Sequence, residues 1–210
     1  MGILIKLMTK SNEPFIIGVL LKTLCMKKLL LIFLVSILLA SSCKKNKSPE
    51  EQLPPETQTG AGTFGCLING NVFLPKGDPL GGPISSASYQ YLNTSYSKGY
   101  FFSVSAKNTS TDFVKGISIN TDSLTIQQGQ TIVLEKYGKK GAAGAQFSII
   151  GNDFIFHEYL TTTSEIGELK ITKLDSINRI VSGTFWYDAI NSSGEKVQVR
   201  EGRFDMKYTL

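Results

Sequence analysis

Ile180-Val181-Ser182-Gly183-Thr184-Phe185-Trp186-Tyr187, then the loop Asn191-Ser192-Ser193-Gly194, then 196–208, is the stretch that decides the fold. Val181, Phe185 and Tyr187 fall on one parity, the period of a half-buried strand. The closing segment is apolar at Val197 and Val199, then at Phe204, Met206 and Tyr208, so its parity changes. Strand side chains alternate strictly between faces, and a core face cannot follow both sets without an extra residue. Gly202 marks the place for a bulge, predicted over 201–203.

Outward from this stretch the same signals recur. Segment 168–173 alternates through Leu169 and Ile171, and 175–178 supplies a turn. Segments 146–150 and 154–158 flank Gly151-Asn152-Asp153 and read as a hairpin. Further back come 131–134, then Ile117 and Ile119. Before them Tyr100, Phe102, Val104 and Ala106 alternate, as do Ala87, Tyr89 and Tyr91. The first hairpin joins 63–68 to 71–74 through Asn69-Gly70, a pair suited to the positive φ angles of a type I′ turn. No apolar period of 3.6 persists after residue 60, and internal repeats are not evident. Nine or ten short strands predict an all-β domain over 61–210. The expected form is an antiparallel β-sandwich, with a closed lipocalin-like β-barrel as the alternative. Such a length buries a core without staples.

The domain offers little reaction chemistry. Cys66 is its one cysteine, set between apolar strand neighbours, and is expected to act as a small buried hydrophobe. His157 is the chain's one histidine. If Phe154 and Phe156 face the core, it points to the other face, where a strand histidine is seldom more than a surface group. A zinc site needs three or four ligands, which one histidine and one buried cysteine do not supply; a carboxylate-bearing loop could hold calcium, but no Asp-x-Asp-x-Asp spacing is present, so no metal and no other cofactor is expected. The run 136–145 is rich in glycine but lacks the P-loop spacing, and reads as a flexible hairpin loop. Asp153, Glu158, Glu165, Glu168, Asp188 and Glu201 could supply a carboxylate pair for glycan hydrolysis, but sequence spacing does not bring any two together. Trp186 alternates away from Phe185 and Tyr187, on the side of Ser182 and Thr184. It is the candidate ligand-binding residue, a platform for a sugar or a partner surface.

The N-terminal part carries a different message. Met26-Lys27-Lys28 precedes a 12-residue apolar run, 29–40, and then Ser41-Ser42-Cys43. A basic start, an apolar core and small residues before a cut make a signal peptide, here 1–42. The run is shorter than the ~20 residues that span a bilayer. A second apolar run, 15–21, precedes it, which suggests that the functional start is Met26. Five lysines (Lys6, Lys10, Lys22, Lys27, Lys28) and Glu13 lie before Cys43. Beyond them the chain has seventeen basic and sixteen acidic residues, a balance of +1 against +5 for the whole. A near-neutral domain lacks the basic excess of a nucleic-acid binder. Segment 44–60 has three prolines and almost no apolar content, and is expected to be a disordered tether spanning ~20–25 Å.

Leu39-Ala40-Ser41-Ser42-Cys43 resembles the lipoprotein signal-peptidase site, in the looser Ser-Cys form common in Bacteroidota. The segments Ile171-Thr172-Lys173-Leu174-Asp175, Ile180 to Phe185, and Gly194 through Glu201-Gly202-Arg203-Phe204-Asp205, with the hairpin at 64–71, resemble a family of small Bacteroidota lipoproteins of unknown function. That resemblance implies lipidation of Cys43, cleavage before it and an envelope location, and it transfers no activity. Surface-exported lipoproteins of that group often carry acids directly after the cysteine. Here Lys44, Lys45 and Lys47 come first, which favours an outer-membrane protein facing the periplasm. A diacyl or triacyl cysteine anchors stably, where one acyl chain alone is marginal. The expected function is a non-enzymatic β-domain that binds a ligand or protein partner, such as a glycan or an envelope protein. The alternatives are a glycan hydrolase and a purely structural envelope component.

Overall fold

The computed structural model describes residues 22, 26–28, 47–78, 82–110, 112–151 and 155–210. The chain divides into Met1–Asn46 and Lys47–Leu210. In the first unit the described residues are helical and exposed. The apolar run 29–40 and Cys43 lie outside the described residues, as do residues 152–154.

The second unit is all-β, as its alternation predicts. Its strands are β1 (Thr63–Ile68), β2 (Asn71–Phe73), β3 (Ser85–Asn93), β4 (Lys98–Asn108), β5 (Val114–Thr121) and β6 (Thr131–Leu134). They continue as β7 (Ala143–Ile150), β8 (Phe156–Leu160), β9 (Gly167–Asp175), β10 (Ile180–Ile190) and β11 (Lys196–Lys207). All belong to one sheet in the order β2-β1-β11-β10-β9-β6-β7-β5-β4-β3, with β8 beside β7 and touching β10. Every pairing between these strands is antiparallel except β6 with β7, which meet in parallel at Leu134 and Ala143.

The sheet folds over so that its inner faces enclose one core. Phe102 of β4 meets Phe204 of β11 with ring centroids 6.2 Å apart. Beyond β11, Thr209 reaches β3: the Tyr89 N–H donates to the Thr209 carbonyl at 2.9 Å, and the Thr209 N–H to Ala87 at 3.0 Å. Phe64, Phe185 and Phe204 form a chain of ring contacts at 5.4 and 6.4 Å. Such pairs add ~0.5–1.5 kcal/mol each beyond the area they bury. All the predicted inward residues of β10, β11 and the position after it are buried: Val181, Phe185, Tyr187, Val197, Val199, Phe204, Met206 and Tyr208. Cys66 is fully buried, and burial pushes its thiol pKa far up, so it is an inert core side chain. This core and every strand among the described residues lie within Lys47–Leu210, so that unit carries its own core and its own hydrogen-bonded sheet.

The predicted hairpin turn is present, with Asn69 at φ 47° and Gly70 at φ 77°. The register change also falls where it is required. Gly65 pairs with Arg203 and Leu67 with Arg200, so Glu201 and Gly202 together face Cys66. The left-handed residue of this bulge is Glu201, at φ 53°, and not the glycine. Gly202 is needed for another reason. A Cβ there would sit 2.4 Å from the Phe185 ring.

Two expectations are corrected. First, residues 47–60 are not a free tether. Glu50–Gln52 form a 3-10 turn, Leu53 is buried, and Pro54 lies so close to Gly65 that a Cβ there would be 2.7 Å from its ring. The segment then wraps over Asp205, which is only 1% exposed. The Asp205 carboxylate accepts from the Thr57 hydroxyl (2.6 Å), the Thr59 N–H (2.9 Å) and hydroxyl (3.2 Å), the Gly60 N–H (2.7 Å) and the Ala61 N–H (3.2 Å). On the other side it accepts from Ser182 at 2.8 Å. Burial alone would raise its pKa. The hydrogen bonds from Thr57, Thr59, Ser182 and Gly60 outweigh that and hold it well below the usual carboxylate range. Ser182 therefore lies buried under this strap and does not share an open face with Trp186.

Second, the Gly-Ala part of 136–145 is not loop. Ala143, Gly144 and Ala145 begin β7 and are buried. Small residues are needed because a Cβ on Gly144 would stand 2.6 Å from the Tyr137 Cα.

Candidate functional site

Cross-strand partners in an antiparallel ladder point to the same face. The register therefore resolves the inner face of β4, β5, β7 and β8 into rows. Ala106, Ile117, Phe147 and Tyr159 make one row. The next row outward is Asn108, Lys115, Ile149 and His157, at the open end of the folded sheet. The core thus ends in a row that mixes one apolar residue with an amide, a lysine and a histidine.

A pocket of about 360 Å³ opens at this end. Its floor is Phe73, Phe147 and Val197, all buried, with Ile68 and Ile149 half-buried beside them. Its rim carries Asn69, Asn71 and Asn108 with two lysines, Lys115 and Lys196. The size is at the small end of ligand sites, and an apolar floor under a few polar groups is their usual lining.

The polar groups differ in what already holds them. Lys196 is paired with Glu165 at 2.9 Å. Glu165 is drawn down to a pKa of about 2 by hydrogen bonds from Ser164, Lys196 and Thr162. Tyr159, on the wall, donates to Glu195 at 3.2 Å, and burial together with that bond raises its phenol above the usual range. Lys115 is half-buried and has no carboxylate partner among the described residues. It shares its parity with Ile117 and Ile119, so it is a cation on the core face. Sequence reasoning missed it, although that parity was visible.

Trp186 lies elsewhere. It is half-buried on the outer face of β10, in a shallow groove of about 430 Å³ shared with Lys170, Arg203 and Glu56 from the strap. The Arg200 guanidinium sits 5.4 Å from its ring centroid. Arg200 is itself fixed by Asp188 at 2.6 Å and by the Tyr187 carbonyl at 3.0 Å. One face of the indole, where a sugar would stack, is therefore occupied by a bound cation. The indole N–H donates to Glu168 at 3.4 Å.

The other candidates are dispersed. Glu168 and Glu201 both border the Trp186 groove, and Glu201 is paired with Arg203 at 3.2 Å. Glu158 accepts from Gln146 at 2.6 Å on another part of the sheet. Asp153 lies outside the described residues. Where the fold displaces a carboxyl pKa, at Glu50, Glu165, Asp175 and Asp205, it moves down, opposite to the shift a general acid needs. Among the described residues no three of His, Cys, Asp and Glu converge as metal ligands. Phe156 is exposed, so His157 does not lie opposite a core-facing Phe156; its pairing with Ile149 puts it at the rim of the inner face. Comparison of the chain with protein-family models, with curated proteins and with solved structures finds no match in any of the three.

Proposed function

We propose that the chain is an envelope lipoprotein, held by lipid on Cys43 and facing the periplasm, whose β-domain is a non-enzymatic binding module that takes its ligand in the end pocket. The observation that carries the binding reading is the pocket: an apolar floor with amide and lysine groups at its rim. Hydrolysis by a carboxylate pair has less support, since Glu168 and Glu201, the two candidate acids bordering the Trp186 groove, are engaged by the indole and by Arg203.

The ordered strap bears on the anchor. Only Lys44, Lys45 and Asn46 separate Cys43 from Lys47, and four Cα–Cα steps reach at most ~15 Å. A lipid on Cys43 would therefore hold the start of the domain close to the headgroups. Cys43→Ser is expected to move the protein from the membrane fraction to the soluble fraction. Continued sedimentation with membranes would exclude the anchor.

The binding reading is tested with phenylnaphthylamine, a neutral apolar fluorophore, on the unit Lys47–Leu210. It is expected to bind at one site with a Kd on the order of 10 µM, the range that ligand efficiency allows a compact molecule. Ile149→Trp, which fills the pocket from its wall, is expected to weaken binding at least about tenfold. Absence of saturable binding, or binding unaffected by Ile149→Trp, would rule the pocket out.

A further inference from the structure

We infer that the end pocket selects a monoanionic amphiphile, a small molecule with an apolar body and a single anionic group, and that Lys115 is the residue that recognises the anion. This rests on the reading of the pocket as a binding site and names what it takes.

The inference starts from the placement of the charges. Four strands contribute to the rim row, and its one permanent cation is Lys115. A lysine on the core face of a strand is half-removed from water, and burial of a cation is unfavourable unless an anion or several dipoles face it. The two glutamates whose partners line or border the pocket, Glu165 and Glu195, are already engaged. Glu165 is taken by Lys196, Ser164 and Thr162. Glu195 is taken by Tyr159 and by Asn191 at 2.7 Å. Lys115 is left with no carboxylate among the described residues, beside the half-buried Ile149 and above the aromatic pair Phe147–Tyr159, whose centroids are 5.7 Å apart.

The amides add direction. Asn108 is the cross-strand partner of Lys115. Its NH2 donates to the Leu74 carbonyl at 3.0 Å and its oxygen accepts from Ser110, which fixes it in place beside the cation. An anion held at Lys115 would leave its apolar body over Phe73, Phe147 and Val197. A neutral apolar ligand would satisfy the floor and leave the lysine unpaired. A doubly charged one would have to overcome burial of its second charge.

The test compares two probes with nearly the same ring system on Lys47–Leu210: phenylnaphthylamine, which is neutral, and anilinonaphthalene sulfonate, which carries one negative charge. Lys115→Met is expected to weaken sulfonate binding about tenfold and to leave the neutral probe within about twofold. Lys115→Arg is expected to restore sulfonate binding, and added salt to weaken it in the wild type and in Lys115→Arg but not in Lys115→Met. If Lys115→Met weakens both probes equally, the lysine has only a structural role and the inference is overturned. If it weakens neither while both bind, anion selection is overturned and the binding pocket stands. If neither probe binds the wild type, the pocket reading and the inference fall together.

Discussion

Asp205→Ala is expected to destabilise the domain by about 3–5 kcal/mol, the scale seen when one partner of a buried charged network is removed. Asp205 is nearly fully buried and accepts hydrogen bonds from Thr57, Thr59, Gly60, Ala61 and Ser182. Its loss leaves those donors without an acceptor and releases the strap from the sheet. For a domain of this size the melting temperature should fall by roughly 10 °C. Hydrogen exchange gives a sharper readout, since the Gly60 and Ala61 amides should lose protection before the core does. The effect has a defined pH dependence. The folded pKa of Asp205 is depressed, so its contribution is complete above the unfolded value of ~3.9 and is lost as pH falls below that. Asp205→Asn should therefore flatten the acid limb of the stability profile below about pH 4. An unchanged melting temperature in Asp205→Ala would show that the strap is not held by this carboxylate.

The second large effect concerns the glycines of the same two strands. A Cβ on Gly183 would lie 2.5 Å from the Lys170 carbonyl oxygen and 2.8 Å from the Phe204 ring. On Gly202 it would lie 2.4–2.6 Å from three atoms of the Phe185 ring. Neither obstacle gives easily, because Lys170 is held by the β9–β10 ladder and Phe185 is packed on Phe64 and Phe204. Gly183→Ala and Gly202→Ala are each expected to destabilise by about 3 kcal/mol in urea denaturation, at the upper end for overpacking a core. Both act on the Phe185–Phe204 contact, so the double variant should fall short of additivity. Thr184→Val, on the outer face between them, should change stability by less than about 0.5 kcal/mol.

Together these effects give the segment pair Val181–Phe185 and Gly202–Asp205 a structural meaning. Ser182 and Asp205 hold the strap, Gly183 and Gly202 admit the rings, and Phe185 and Phe204 fill the core. The pattern that most distinguishes the sequence is thus one of packing and latching. The candidate site lies at the end of the sheet, lined from other strands.

The all-β fold was legible because inward residues alternate along the strands, and because Asn69-Gly70 and the parity break before Phe204 carry local signals. The strap was not legible. Its composition is that of a disordered segment, and what orders it is one carboxylate about 145 residues away. Asp205, set between Phe204 and Met206, reads as an ordinary outward polar residue of a half-buried strand. The end pocket was hidden for a similar reason. It collects residues from β1, β2, β4, β5, β7, β8 and β11, and the pairing that assembles them follows from the sheet order, including the parallel contact of β6 with β7. Lys115 carried the one local signal, a charge on the parity of Ile117 and Ile119. Trp186 drew notice because it alternates away from Phe185 and Tyr187, and the structure gives its ring to Arg200.

The most direct test of where this domain binds is a titration of isotope-labelled Lys47–Leu210 with phenylnaphthylamine, followed by backbone amide shifts. Binding in the end pocket predicts saturable changes at Asn71, Phe73, Lys115, Phe147, Ile149 and Val197, with the strands around Trp186 unmoved. Changes clustered at Lys170, Trp186, Arg200 and Arg203, with the pocket silent, would contradict it and return the outer groove to first place.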